Sequence, residues 1–152
     1  MKMDNIDKKI LNIIHKEFPV EERPYKNIAH TIGITEEEII NRVSVLKQKG
    51  IIRRIGGVLD PKAIGWHSTL CAADIAPERI EEFASVVNSY TEVTHNYVRS
   101  GCPNCWFTII APSRKRAGEI ISEIKARLGT EIIDLPARRI FKIGVEFDLE
   151  KA

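Results

Sequence analysis

The apolar residues of this chain change their spacing near residue 60, and that change limits the folds open to it. Before that point they recur at helical intervals. Ile6, Ile10, Leu11, Ile13 and Ile14 predict a helix from Asp4 to about Phe18. "PYKNIAHTIG" offers a short helix stopped by Gly33, and Thr35 begins another. Thr35 with Glu38 has the form of a T-x-x-E capping box, and Ile39, Ile40, Val43 and Leu46 supply an apolar stripe up to Gly50. With "IIRRIGGVLD" read as a small strand pair, residues 1–60 make a winged helix-turn-helix pattern.

After "DPKAIG" the period shortens towards two, as in strands. "WHSTLCAADIA" reads as a strand and "PERIEEFASVVNSY" as a helix with Pro77 at its start. "EVTHNYVRSG" and "CWFTIIAP" read as a hairpin, and "SRKRAGEIISEIKARLG" as an amphipathic helix with a serine cap and a glycine stop. "EIIDLPARRIFKIGVEFDL" returns as strand. The order β-α-β-β-α-β over residues 61–152 predicts a ferredoxin-like domain, an antiparallel sheet with both helices on one face. The class expected for the whole chain is therefore α+β. The other face of the sheet then needs a cover, which a second subunit or a large flat ligand would supply.

The charge balance bears on partners. The net charge is only +2. Residues 1–60 hold 11 Lys and Arg against 9 Asp and Glu, leaving 12 against 12 in the remainder. Neither half is the basic body expected of a protein that chiefly grips phosphate backbones. The second helix of the helix-turn-helix also begins Glu36, Glu37, Glu38, where a recognition helix needs groups that face bases. DNA is accordingly not an expected partner. No apolar run approaches the roughly 18 residues of a membrane span, and Asp4, Asp7 and His15 interrupt anything resembling a secretory leader. No membrane association is expected, and the expected location is the cytoplasm.

The hairpin carries the chemistry. In "VTHNYVRSGCPNCWFTI" simple alternation puts Val93, His95, Tyr97 and Arg99 on one face and Thr94, Asn96, Val98 and Ser100 on the other. His95 to Arg99 spans roughly 13 Å at about 3.3 Å per residue, a length suited to a large ligand. Each residue alone has a quieter reading: a hydrogen-bonded histidine, a packed tyrosine, an arginine paired with a carboxylate. Together with Trp106 on the returning strand and the cations Arg53, Arg54, Arg138, Arg139 and Lys142, they predict a ligand site. Arginine suits carboxylates because its guanidinium holds them by two parallel hydrogen bonds.

Cys102 and Cys105 form a single C-x-x-C in the hairpin turn. A structural zinc or iron-sulfur site needs about four ligands, and only Cys71, His67 and His95 remain to complete one. Turn residues without chemistry are the first reading, ahead of a reversible disulfide and a bound metal; no dedicated metal site is expected.

These stretches carry a resemblance. "IDKKILNII", "GITEEEIINRVSVLKQKGIIRR" and "LDPKAIG" resemble the Lrp/AsnC regulators, in which a winged helix-turn-helix precedes a βαββαβ effector domain. Within that superfamily "RRIGGVLDPKAIGW", "STLCAADI", "VTHNYVR", "NCWFTI" and "LPARRIFKIGVEFDL" are similar to the siroheme decarboxylases, from about Asp4 to Leu149. One departure is the hairpin tip, Gly-Cys-Pro-Asn-Cys-Trp-Phe here, where the family more often has a turn ending Asn-Leu-Trp-Phe.

The resemblance implies removal of CO2 from the C12 and C18 acetate side chains of siroheme, giving 12,18-didecarboxysiroheme for haem or haem d1 biosynthesis. It implies no cofactor beyond the iron of the siroheme substrate. It also implies a homodimer or a heterodimer with a paralogous subunit, this chain being nearer the second subunit type than the first. His95, Tyr97 and Arg99 are then the expected catalytic residues, with His95 also a candidate ligand of the substrate iron. Arg53, Arg54, Asn96, Trp106, Arg138, Arg139 and Lys142 are the expected substrate contacts. Two other readings compete: a regulator whose pocket senses a small ligand or a tetrapyrrole, and a haem-binding or trafficking module without catalysis.

Overall fold

A computed structural model describes residues 3–142 together with Gly144, Phe147 and Leu149. The chain divides into two compact units, one of residues 1–57 with 142–152, the other of residues 58–141.

The first unit is helical: α1 (Asn5–Lys16), α2 (Pro24–Ile32) and α3 (Glu36–Gln48). Local chemistry sets their ends. The Asp4 carboxylate accepts from the backbone N–H of Asp7 at 2.7 Å, and the Thr35 hydroxyl accepts from that of Glu38 at 3.2 Å. Gly33 ends α2 with φ of 85°, a left-handed conformation that favours glycine. Ile10, Ile28, Ile39 and Leu46 are buried where the three helices meet. Arg42 of α3 ties this unit together, donating at 2.8 to 2.9 Å to Asp4, Asp7 and Glu38. The expected strand pair after α3 does not form, since residues 51–60 contain no strand. Gly56 and Gly57 fall inside it, and glycine weakens a strand interior.

The second unit contains β1 (His67–Ala73), a 3-10 turn at Pro77–Arg79, α4 (Ile80–Asn88), β2 (Val93–Val98), β3 (Cys105–Ala111), α5 (Arg114–Leu128) and β4 (Ile133–Pro136). The sheet order is β2-β3-β1-β4, and every neighbouring pair is antiparallel. This is the ferredoxin-like arrangement within an α+β chain. Alternation on β3 sorts the two faces: Cys105, Phe107, Ile109 and Ala111 are buried, whereas Trp106, Thr108 and Ile110 are half-buried. The buried set packs against Phe83 and Val87 of α4 and Ile120 and Ile124 of α5. Both helices thus cover one face and leave the other open.

Two strand expectations change. β4 ends at Pro136, so residues 137–142 are not strand. Proline has no N–H to continue a ladder, and Pro136 closes the pairing with Thr69. The strand expected beyond that point includes Ile143, Val145, Glu146 and Asp148, which lie outside the described residues. No helix among the described residues is long and apolar enough to cross a membrane.

Candidate functional site

β2 and β3 position the site on the open face. His95 pairs with Thr108 and Tyr97 with Trp106, so these four side chains leave the sheet on the same side. Leu70 of β1 lies across from Thr108 and joins them. A cavity of about 380 Å³ is lined by these five together with Arg99 and the hairpin tip, residues 100–103. Such a volume lies within the range of small-molecule sites.

The alternation expected from Val93 onward breaks at the start of β2. Val93 pairs with Ile109 and packs against the core, while His95 pairs with Thr108 on the open face. The register shift between them is a β-bulge with Thr94 as the extra residue. The row of three polar side chains therefore holds from His95 to Arg99, but Val93 does not belong to it.

Several contacts fix this geometry. The His95 and Tyr97 rings stack with centroids 6.0 Å apart and planes 25° from parallel. The Thr94 hydroxyl lies 3.0 Å from Nδ1 of His95. The Trp106 indole N–H donates to the Pro103 carbonyl at 2.8 Å, folding the hairpin tip towards the sheet. Asn104 clamps the tip from the other side: its Nδ2 donates to the Ile75 carbonyl at 2.7 Å and its Oδ1 accepts from the Ile75 N–H at 2.9 Å. The Arg99 N–H donates to the Asn104 carbonyl at 2.7 Å and closes the loop.

The other expected contacts lie elsewhere. Asn96 pairs with Phe107 on the helix-covered side, and its amide donates to Asn88 at the end of α4 at 3.0 Å. Arg53 and Arg54 line a different cavity, within the first unit, alongside His15, Ile52 and Phe147. Arg138 and Arg139 follow β4 as exposed residues, with the Arg139 guanidinium 4.7 Å from the centre of the Phe141 ring. Lys142 groups with the first unit. Among the described residues, Arg99 is thus the one full positive charge on the cavity wall.

The cysteines are all free thiols. Cys105 faces the core, where burial pushes its thiol above the usual range, and burial pushes Cys71 up to about 12. Cys102 is exposed on the cavity wall, and its hydrogen bond to Asp74 also holds its thiol above the usual range. No group of three or more His, Cys, Asp or Glu among the described residues could hold a metal ion.

Sequence reasoning missed Thr94, Leu70, Thr108 and the tip as parts of the site. Thr108 becomes visible once the hairpin register is known, because it pairs with His95, and Leu70 only with the β1–β3 register, where it pairs with Thr108.

Comparison with known proteins agrees with this architecture. Residues 7–53 match the family model described as siroheme decarboxylase NirDL-like HTH domain, and residues 63–142 match the AsnC-like ligand binding domain. The siroheme decarboxylase alpha subunit of Oleidesulfovibrio alaskensis is 42% identical over 150 residues, covering 99% of this chain and 92% of that protein. The chain belongs to the siroheme decarboxylase family. The NirD subunit of Pseudomonas aeruginosa is a second decarboxylase relative, 34% identical over 97% of this chain and 98% of its own length. The crystal structure of the siroheme decarboxylase NirDL superposes with a TM-score of 0.69 at 31% identity, covering 93% of this chain and 46% of that one. Escherichia coli AsnC superposes with a TM-score of 0.81 at 20% identity, covering 96% of this chain and 99% of its own, and shows the shared fold. The likeness to alpha subunits, found again in Nitratidesulfovibrio vulgaris at 42% identity over 97% of this chain and 84% of that one, runs against the expected nearness to the second subunit type.

Proposed function

We propose that this chain is a siroheme decarboxylase subunit, a carboxy-lyase that removes CO2 from the C12 and C18 acetate side chains of siroheme to give 12,18-didecarboxysiroheme. The product would serve haem or haem d1 biosynthesis. The observation that carries the reading is the single cavity in which His95, Tyr97 and Arg99 meet against Trp106 and Leu70 on the uncovered face of the sheet.

The residues divide the work by their chemistry. Arg99 receives a substrate carboxylate in its planar fork. Leu70, Tyr97 and Trp106 present apolar surface to the macrocycle and thin the water around that carboxylate. Loss of CO2 leaves the electron pair of the broken C–C bond on the acetate methylene carbon, next to a ring system able to delocalise it. One proton delivered there makes the methyl group, and His95, or Tyr97 acting with it, supplies that proton. The electron count closes without an oxidant or an added redox cofactor. The iron involved is that of the substrate, and ligation of it by His95 is the alternative to proton delivery, since one free ring nitrogen cannot do both.

Arg138 and Arg139, exposed after β4 in the same unit as the cavity, are proposed to meet other carboxylates of the substrate, and Asn96 to steady β2 behind the row. Siroheme decarboxylase relatives are described as alpha, NirD and NirG subunits, and the open sheet face fits a working dimer with a second copy or a paralogue. A regulatory role on DNA finds little support in the chain. Glu36, Glu37 and Glu38 open α3, and Arg42 is engaged by three carboxylates of its own unit.

The test is anaerobic incubation of the purified chain with siroheme, alone and with a paralogous subunit, following product mass. Two successive losses of CO2, abolished by His95→Ala, are expected. Siroheme that binds yet stays intact under both conditions would overturn the decarboxylase reading in favour of a carrier.

A further inference from the structure

The bulge at the start of β2 has a chemical consequence. An unbroken strand turns successive residues to opposite faces. Here the extra residue brings the Thr94 hydroxyl to 3.0 Å from Nδ1 of the very next side chain, His95. No other hydrogen bond among the described residues reaches the imidazole, which is exposed, stacks on the Tyr97 ring and pairs across the strands with Thr108. Which nitrogen of a histidine carries the proton is set by the hydrogen bond that the other one makes.

We propose that Thr94 is a positioning residue that holds a proton on Nδ1 of His95 and so makes Nε2 the nitrogen that exchanges a proton with the substrate. The inference rests on the reading of His95 as the acting group. A threonine hydroxyl both donates and accepts, and its oxygen takes a hydrogen bond from Nδ1–H in the imidazolium and in the neutral ring alike. The same contact therefore serves before and after proton transfer. As CO2 leaves, the C–C electron pair stays on the acetate methylene carbon. The Nε2 proton moves to that carbon to complete the methyl group, and the imidazolium becomes a neutral ring that keeps Nδ1–H. Solvent returns the Nε2 proton before the second acetate reacts. Without the hydroxyl, the neutral ring would share its proton between the two nitrogens, and part of the population would carry it on Nε2 with Nδ1 bare.

The experiment uses the full chain with 15N-labelled histidine, in the absence of substrate, with His95→Gln to assign the His95 signals. At a pH where the rings are neutral, wild-type His95 is expected as the Nδ1–H form. Thr94→Val keeps the β-branched shape suited to the bulge but removes the hydroxyl, and should move His95 to a mixture of both forms. Thr94→Ser should restore the wild-type pattern. In parallel, kcat for siroheme decarboxylation should fall about tenfold in Thr94→Val, the lower end of the effect of removing an orienting partner from a working histidine, with KM little changed and with recovery in Thr94→Ser. Either readout unmoved in a folded Thr94→Val protein overturns the proposal, as does a wild-type ring in the Nε2–H form. If Thr94→Val does not fold, Thr94→Ala carries the same two readouts. His95→Ala with wild-type turnover would instead sink the underlying reading of His95 while leaving the tautomer result standing, so the two failures are distinguishable.

Discussion

At the residue scale, Arg99 stands apart because it is the one full positive charge on the cavity wall among the described residues. A hydrogen bond to a charged group contributes about 1.5 to 3 kcal/mol, and about 1.4 kcal/mol is a factor of ten. Replacing Arg99 by Gln should therefore raise KM for siroheme about tenfold or more in anaerobic steady-state assays. Arg99→Lys should recover only part of that, because a lysine keeps the charge but loses the two-pronged fork. A KM unchanged in Arg99→Gln would remove the arginine from substrate binding. The cysteines give a second test. Thiolate is the reactive form, and Cys71 and Cys105 are buried with their thiols pushed up, Cys71 to about 12. Only Cys102 is exposed. An aromatic disulfide reagent at pH 8 should thus modify one thiol of three in the native chain, and slowly, since Asp74 favours the protonated form of Cys102. All three should react in denaturant, and Cys102→Ser should abolish the native reaction.

At the scale of elements, the hairpin from β2 to β3 depends on the Asn104 clamp. Its two hydrogen bonds to the Ile75 backbone reach across 29 residues and are partly buried. Leaving the Ile75 groups without partners should cost about 2 kcal/mol. Asn104→Ala is therefore expected to lower the denaturant midpoint without changing the slope, and to raise KM as the tip wall loosens. Asn104→Asp, which can accept from the Ile75 N–H but cannot donate to its carbonyl, should fall between. The same hairpin shows what could be read from the chain. Strong local signals gave true elements: Thr35 caps α3, Ser113 caps α5 with a bond from the Arg116 N–H at 3.1 Å, and Gly129 ends α5 at φ of 58°. The pairing of His95 and Tyr97 on one face followed from alternation alone. The bulge at Thr94 did not, because a one-residue register shift is decided by cross-strand partners far along the chain and leaves Val93 looking like part of the row. The placement of the cations was no more legible. Composition showed how many there were, but only the fold assigns Arg53 and Arg54 to a cavity of the first unit and leaves Arg138 and Arg139 exposed after β4.

At the scale of the whole molecule, the open sheet face decides how the protein can exist in water. Helices α4 and α5 satisfy one side of the sheet, while Leu70, Ile133 and Leu135 remain 40%, 49% and 43% exposed on the other. Their pairings, Leu70 with Leu135 and Ala72 with Ile133, put them on adjoining strands beside Trp106 and Thr108, so they form a continuous apolar surface next to the cavity. Contiguous apolar surface of this kind marks an association site, and a second sheet laid against it would bury these side chains and shield the cavity from solvent together. On the proposed function, association and catalysis would be coupled, because the water that would weaken the hold of Arg99 on a carboxylate would be excluded when the face is covered. Leu135→Asp sits on β4, outside the cavity wall, and places a charge in the middle of this surface. It should shift the protein from dimer to monomer in sedimentation velocity, and kcat/KM should fall while the circular dichroism of the isolated fold is kept. Raising the protein concentration should restore both dimer and turnover in parallel. A Leu135→Asp protein that is monomeric yet fully active would show that the cavity works on one chain alone, and a wild-type chain that sediments as a monomer at all concentrations would assign the apolar face to a paralogous partner.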